Sequence, residues 1–227
     1  MKLNLESGPL VVGVLSSLDG DIPLAGDVVE ARLDRTGRPA DWLERCQAIE
    51  ARGKPVLLTI RLRGEGGEWA EDDAERLRLY EAGLKALAAV DVELGSVICA
   101  AVTKQAEKLG KACLVSHHDF QGTPPLAELE AIARRARQNG AVPKIATMIR
   151  NRADVETLRL LLARKGDRPL CVIGMGEAWK QTRVSFAKLG SCLTYGYLDK
   201  PTAPGQVSAA ELVRQLREIM PARKMKN

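Results

Sequence analysis

The chain has 227 residues, 45% of them hydrophobic and 28% charged, and a formal net charge of +5. This composition is typical of a folded globular protein, and the length is enough to bury a substantial core. Three of the positive charges, Arg223, Lys224 and Lys226, lie in the last five residues, and the aromatic content is only 4%. We therefore expect a small anionic ligand and no nucleic-acid partner.

The sequence predicts a cytoplasmic protein with no membrane partner. No stretch approaches the ~20 consecutive apolar residues of a membrane span. The N-terminal MKLNLESGPL lacks the basic-then-apolar order of a signal peptide. The cysteines form no CxxC pair, so we expect reduced, mostly buried thiols. They are Cys46, Cys99, Cys113, Cys171 and Cys192.

Short apolar or β-branched runs alternate with longer segments of helical spacing. The predicted strands are residues 9–16, 27–34, 55–61, 90–94, 111–118, 141–148, 169–175 and 191–196. The clearest predicted helices are residues 41–52, 74–90 and 126–140, the last with Gly140 as its C-terminal cap. Eight strand-helix repeats predict an α/β fold, a (β/α)8 or TIM barrel.

No linker, repeat or low-complexity run divides the sequence, so we expect residues 1–227 to form a single catalytic domain. A doubly wound open sheet is the structural alternative. Its first turn is normally glycine-rich, and LSSLDGDIP (15–23) does not match G-x-G-x-x-G. The Pro/Gly segment TAPGQ (202–206) follows the last strand, where barrel enzymes keep binding residues.

The second predicted strand carries charged residues on one face. Alternation along residues 27–34 puts Glu30 and Arg32 on one side and an apolar set on the other. Because the apolar face packs under helices, we expect Glu30 and Arg32 to point into the barrel near its C-terminal end. The alternative is a salt-bridge layer that only stabilises the barrel mouth.

Lys144 lies within an apolar strand, AVPKIATM (141–148). Burial disfavours an ammonium group, so such a lysine can act as an amine nucleophile toward a ketone. A strand lysine is more often a surface residue whose amine reaches solvent, and the nucleophile hypothesis therefore needs a partner base.

The two histidines of the chain, His117 and His118, are adjacent in a predicted strand. Neighbouring strand residues point to opposite faces, so the pair is poorly placed to chelate one ion, and we expect no metal site. Alternation separates the two rings but does not show which of them faces the barrel interior.

The loop after the third strand, TIRLRGEGGEW (59–69), carries Arg61 and Glu65 with nearby glycines. It can bring both charges over the barrel mouth, where a carboxylate can orient an imidazole. The pattern is common in exposed loops, and Arg183 is likewise an ordinary helical arginine on sequence alone.

Taken together, these segments resemble type I 3-dehydroquinate dehydratase, the Schiff-base enzyme of the shikimate pathway. The resemblance covers nearly the whole chain, and its specificity lies in the ordered combination of motifs. These are E-x-R (Glu30, Arg32), TIR with EGGE (Arg61, Glu65), S-x-H-D-F (His118), K-I-A-T-M (Lys144), TRVSFAKLGS (Arg183) and T-A-P-G-Q (Thr202, Gln206).

The resemblance implies a role for each of these residues. Lys144 would form an imine with the substrate ketone, and His118, paired with Glu65, would be the general acid and base. Arg183 would bind the substrate carboxylate. The remaining substrate contacts would come from Glu30, Arg32, Arg61, Thr202 and Gln206. The resemblance implies no cofactor and no metal, a small anionic substrate, 3-dehydroquinate, and a homodimer.

The sequence departs from the family pattern at Trp179, where the family usually has glycine, and at Thr182, where it has serine. We expect Trp179 to reshape the lid of the pocket. Two other functions remain open: a class I aldolase that uses the same lysine, and a barrel that only senses quinate-like ligands. An aldolase for phosphorylated sugars needs a late glycine-rich phosphate loop, and a sensor needs neither Lys144 nor His118.

Overall fold

A computed structural model describes residues 1–6, 8–70, 72–201 and 206–221. The strands are β1 Leu10–Leu15, β2 Val28–Arg32, β3 Val56–Thr59, β4 Ala89–Glu93, β5 Ala112–Asp119, β6 Val142–Met148, β7 Cys171–Met175 and β8 Leu193–Tyr197. The helices are α1 Trp42–Ala51, α2 Asp73–Ala86, α3 Cys99–Lys108, α4 Leu126–Gln138, α5 Arg152–Ala163, α6 Thr182–Lys188 and α7 Ala209–Ile219. Two short 3-10 helices are Arg63–Glu65 and Glu177–Trp179.

All eight strands belong to one parallel sheet, in the order β7-β6-β5-β4-β3-β2-β1-β8. The first strand therefore pairs with the second and the last, and the sheet curves into a nearly closed barrel. This confirms the predicted TIM barrel and rules out the doubly wound alternative, whose chain order reverses within the sheet.

The seam between β7 and β8 is held by bonds at the start of the two strands. The Cys192 N–H donates to the Leu170 carbonyl oxygen at 2.9 Å. The Ser191 hydroxyl oxygen accepts from the Val172 N–H, also at 2.9 Å. In the part of the chain that the structure describes, no ladder of paired residues joins β7 to β8.

The predicted helices are confirmed, with one boundary wrong. The segment predicted as residues 74–90 ends as a helix at Ala86, and Leu87 is already extended at φ −101° and ψ 168°. The residues that follow are apolar and fit either element, but Val90 pairs with Leu58 of β3 and joins the sheet. Gly140 follows α4 with φ 70°, as expected for a cap glycine.

The barrel interior changes from apolar to charged along the strands. Near the strand starts, Val12, Val28, Leu57, Leu114 and Leu193 pack into one buried apolar cluster. Two residues further along, four of these five strands carry polar side chains on the same face, because side chains on one face recur every second residue, and only β1 continues with an apolar residue, Val14. Charged groups are thereby placed toward the C-terminal end of the barrel.

The five cysteines are buried and free, as predicted for reduced thiols. Among the described residues, no helix is long and apolar enough to cross a bilayer.

Gly196 of β8 tests how closely α7 approaches the barrel. A Cβ at Gly196 would lie 2.7 Å from both the Val207 carbonyl oxygen and the Ala209 amide nitrogen, which are backbone atoms. Gly196→Ala should therefore lower the free energy of unfolding by roughly 1–3 kcal/mol, measured by urea denaturation.

Gly95→Ala is the matched control, because a Cβ there meets no atom within 4 Å. It should leave stability unchanged or slightly higher. Equal effects of the two substitutions would contradict the close packing of α7 against β8.

Candidate active site

Lys144 is buried inside the barrel, with an exposed fraction of 1%. Its Nζ lies 2.5 Å from Asp91 Oδ2 and 3.6 Å from Glu30 Oε1. The same nitrogen is 4.3 Å from the centroid of the Tyr195 ring. Two carboxylates and a ring face therefore surround the amine, and the surface-lysine alternative is wrong.

These four residues come from alternate strands. Glu30, Asp91, Lys144 and Tyr195 lie on β2, β4, β6 and β8, respectively. In a TIM barrel, a layer of interior side chains is built by either the odd or the even strands. Lys144 therefore meets its partners across the barrel axis, on strands that do not neighbour its own.

Neighbouring cations keep the Asp91 carboxyl group ionised. Burial alone raises the pKa of this carboxyl, but Lys144 and Arg61 outweigh burial and hold the pKa below its ordinary value. Asp91 is consequently ionised near neutral pH and balances the lysine charge. Glu30 is also engaged, since its Oε1 accepts a hydrogen bond of 2.9 Å from the Thr59 hydroxyl.

His118 faces the pocket and is paired with Glu65. Its Nδ1 is 2.8 Å from Glu65 Oε2, and the same oxygen accepts the His118 backbone N–H at 3.0 Å. Glu65 ends the 3-10 helix Arg63–Glu65 that follows β3, which carries the carboxyl over the end of β5. When Glu65 is ionised, Nδ1 donates to this carboxylate and Nε2 is the ring nitrogen available as a base.

The pKa values of this pair are shifted in opposite directions. Burial, together with the nearby cations Arg61 and Lys144, holds the pKa of His118 well below its usual value. Burial, and then the charge of Glu93, raises the pKa of Glu65 to about 7. The imidazole is therefore neutral near physiological pH, and its carboxyl partner can take up a proton in the same range.

His117 points to the opposite side of β5. It is half-buried, and the charges that act on it include Glu128 and Arg135 of α4. Its ring therefore lies on the face of β5 that is turned toward α4, whereas His118 lines the pocket. The structure thus shows which of the two rings faces the barrel interior, which strand alternation left open.

The pocket above Lys144 has a volume of about 140 Å³ and brings together most of the predicted site. Glu65 reaches it through His118. The predicted Thr202 lies outside the described residues. The predicted site residues that line the pocket are Glu30, Arg32, Arg61, His118, Lys144, Arg183 and Gln206.

Arg32 is held by a carboxylate that sequence analysis did not assign. Its Nε and Nη2 donate to the two oxygens of Asp34 at 2.9 and 2.7 Å. Burial lowers the pKa of Arg32, but this bidentate pair outweighs burial and raises it above the ordinary value. Two of the three guanidinium nitrogens are therefore already used within the protein.

Arg61 and Arg183 have nitrogens left for an anion. Within the described residues, Nε of Arg61 and Nε of Arg183 are buried and have no hydrogen-bond partner, whereas Nη2 of Arg61 is ion-paired with Asp91 Oδ2 at 3.5 Å. Arg183 also donates from Nη1 to the Tyr195 carbonyl oxygen at 3.1 Å, and burial lowers its pKa. Buried donors without a partner are what an anionic ligand satisfies.

Sequence analysis missed Asp91, Glu93 and Tyr195. Alternation in VDVEL (90–94) does place Asp91 and Glu93 on one face, which was the available signal. Glu93 accepts the Leu62 N–H at 2.8 Å and lies 3.4 Å from the buried Arg76 guanidinium. It therefore anchors the start of the 3-10 helix that carries Glu65.

Comparison with known proteins places the chain in a family. A model of the type I 3-dehydroquinase family matches residues 10–221. The chain belongs to the type I 3-dehydroquinase family. A 3-dehydroquinate dehydratase from Methanocella arvoryzae is 36% identical over 217 residues, which cover 94% of this chain and 98% of that protein.

Solved structures of 3-dehydroquinate dehydratases share the fold over nearly the same length. The 3-dehydroquinate dehydratase from Geobacillus kaustophilus superposes with a TM-score of 0.81 at 28% identity, covering 96% of this chain and 93% of that one. The enzyme of the same name from Aquifex aeolicus gives a TM-score of 0.81 at 25% identity, covering 93% and 99%.

The two departures from the type I 3-dehydroquinase pattern lie next to each other. Trp179 is half-buried against the outer core, and among the described residues it does not line the pocket. The Thr182 hydroxyl donates to the Trp179 carbonyl oxygen at 2.7 Å. Among the described residues, Trp179 therefore packs beside the site, and its effect on the lid stays a prediction.

Glu93→Gln should lower the pKa of Glu65. It removes a negative charge that favours the protonated carboxyl, while the amide oxygen can still accept the Leu62 N–H. The pKa should stay above its ordinary value, because burial is the largest cause of the shift. A carbon-detected NMR titration of the Glu65 carboxyl measures this change.

Glu68→Gln is the control, since Glu68 is a nearby carboxylate with 62% of its side chain exposed. Solvent screens its charge, so the pKa of Glu65 should not move. If the pKa of Glu65 were unchanged in Glu93→Gln, or fell by the same amount in Glu68→Gln, Glu93 would not be a cause of the raised pKa.

Proposed function

We propose that this protein is a hydro-lyase that dehydrates 3-dehydroquinate to 3-dehydroshikimate, in the shikimate pathway. The observation that carries the proposal is a buried lysine amine and a neutral, carboxylate-paired imidazole in one pocket. The relatives that bear the name 3-dehydroquinate dehydratase support the same substrate, since the chain matches them over nearly its full length.

In this proposal Lys144 attacks the substrate ketone and forms a protonated imine, with loss of one water. The imine nitrogen carries the same positive charge as the ammonium that it replaces. Asp91 and Glu30 therefore stabilise the reactant and the intermediate with one arrangement of carboxylates. The cationic imine withdraws electrons and acidifies the neighbouring C–H bond that must break.

His118 then acts twice. As a neutral base it removes the proton from the carbon next to the imine, and as an acid it delivers a proton to the departing hydroxyl, which leaves as water. Glu65 stabilises the imidazolium between these steps. Hydrolysis of the imine releases the product and regenerates the Lys144 amine.

Arginines at the barrel mouth would bind the substrate anion. Arg183 offers a buried donor without a hydrogen-bond partner for the carboxylate, and Arg61 offers another at its Nε. Arg32 would contribute through the part of its guanidinium that Asp34 leaves free. We assign the hydroxyl contacts to Glu30, Thr202 and Gln206 on the basis of the family motif.

The proposed chemistry needs neither a metal nor an organic cofactor. Among the described residues there is no group of three or more His, Cys, Asp or Glu side chains placed to hold a metal ion. We further propose that residues 1–227 form one catalytic domain and act in the cytoplasm as a homodimer. The assembly rests on the family resemblance.

Reductive trapping tests the imine directly. Borohydride added to the protein with 3-dehydroquinate should give one substrate-derived mass adduct per chain, and peptide mapping should place it on Lys144. Lys144→Met, shown to be folded by circular dichroism, should give no adduct. An adduct that persists in Lys144→Met, or that is spread over other lysines, would refute the Schiff base.

The histidine pair provides a second test with an internal control. His118→Gln should lower kcat by roughly 10²–10⁴-fold, the range for loss of a general acid or base. His117→Gln should change kcat little, because its ring lies on the face of β5 that is turned toward α4 and affects only stability. Both variants are measured for kcat and melting temperature, and a stable, inactive His117→Gln beside an active His118→Gln would reverse the assignment.

A further inference from the structure

A second cleft lies on the outer wall of the barrel, between α4 and α5. It has a volume of about 220 Å³, and Leu170, which directly precedes β7, contributes to its floor. Arg137, in the last turn of α4, is on its wall. Both positions belong to the N-terminal end of the barrel strands, opposite the pocket that contains Lys144.

The cleft is strongly basic. Four basic side chains, Arg134, Arg137, Arg164 and Lys165, line it with a single carboxylate, Glu130, which leaves a surplus of three positive charges. Glu130 is only loosely paired, with its Oε1 at 3.4 Å from Arg164 Nη1. The like charges repel one another, so a multiply charged anion is the ligand that this wall favours.

Arg137 carries unused donors. Its Nε and Nη2 are buried and have no hydrogen-bond partner among the described residues. Burial, and then the charge of Arg168, lowers its pKa, which shows a cationic group in an unfavourable place. Arginine donors of this geometry bind phosphate and carboxylate oxygens in pairs.

Helix capping does not explain the position of Arg137. A basic residue in the last turn of a helix often donates to the final carbonyl groups. In α4 those carbonyls already accept from Asn139 and Gly140, whose N–H groups bond Ala136 and Arg137 at 3.2 and 3.0 Å. The unpartnered guanidinium nitrogens are therefore not needed to cap the helix.

The floor of the cleft is apolar, formed by Ala133, Leu161 and Leu170. An inorganic ion would satisfy the basic rim and make no apolar contact with this floor. We propose that the cleft is a binding site for a small organic phosphate, whose dianionic head pairs with Arg137 and whose carbon skeleton covers the floor. This site is separate from the proposed catalytic pocket, and its test does not depend on dehydratase activity.

Phenyl phosphate is a suitable probe, because it joins a dianionic head to a compact apolar group. Isothermal titration at low ionic strength should show binding to the wild-type chain. Arg137→Gln should weaken the affinity by at least about tenfold, the effect of losing hydrogen bonds to a charged group. The double variant Arg134→Gln with Arg164→Gln, on the exposed rim, should also weaken the affinity for phenyl phosphate. It provides the test if Arg137→Gln does not fold.

Two control variants locate the probe. Arg152→Gln removes an exposed cation from the start of α5 that does not line the cleft, and the affinity should not change. Arg183→Gln removes a cation from the catalytic pocket, and binding to the outer cleft should persist. Binding that is lost with Arg183→Gln and kept with Arg137→Gln and the rim double variant would overturn the proposal.

Ligand analogues test the chemical class. Inorganic phosphate, which lacks the apolar group, and benzoate, which carries a single charge, should both bind more weakly than phenyl phosphate. Inorganic phosphate that binds as tightly as phenyl phosphate would overturn the organic part of the assignment. Dehydration of 3-dehydroquinate by Arg137→Gln should match the wild type, and a loss of activity would contradict the separation of the two sites.

Discussion

The barrel interior depends on the placement of one ammonium group, Lys144 Nζ, beside Asp91 and Glu30. A buried lysine without partners is strongly unfavourable, and two carboxylates without the lysine are equally so. The three charges come from β2, β4 and β6, and Tyr195 of β8 completes the same layer. Closure of the barrel thus brings the lysine and its two carboxylates together. The same carboxylates can stabilise the cationic imine that the proposed reaction forms.

The strands were predictable, because β-branched runs with period-two alternation are local features of the chain. The partner of Lys144 was not. Alternation places Asp91 inward, but only the stagger of the closed barrel sets the height at which β4 and β6 present their side chains. The boundary between α2 and β4 was wrong for a related reason, since the apolar residues after Ala86 join the sheet through pairing that is distant in sequence.

The His118–Glu65 pair shows what motif and geometry each contribute. Alternation separated His117 from His118, and the resemblance to the family chose His118; the structure places that ring in the pocket and Glu65 on its Nδ1. The contact between Glu65 and His118 could not be predicted from the length of the loop after β3. The path of that loop is fixed by a hydrogen bond from the Leu62 N–H to the Glu93 carboxylate, which is distant in sequence. The opposite pKa shifts of the two side chains follow from their burial and from the charges around them, which no sequence pattern shows.

A double-mutant cycle on Lys144 and Asp91 tests the central claim most directly. The free energy of unfolding is measured by urea denaturation for the wild type, Lys144→Met, Asp91→Asn and the double variant. Each single substitution removes the nearest opposite charge of the remaining group. It leaves Asp91 with Arg61 at 3.5 Å, or Lys144 with Glu30 at 3.6 Å, whereas the double variant removes both charges. The account predicts that the double variant is more stable than the sum of the single effects by about 2–3 kcal/mol. Additivity within about 0.5 kcal/mol would show that the two groups are not coupled and would contradict the account.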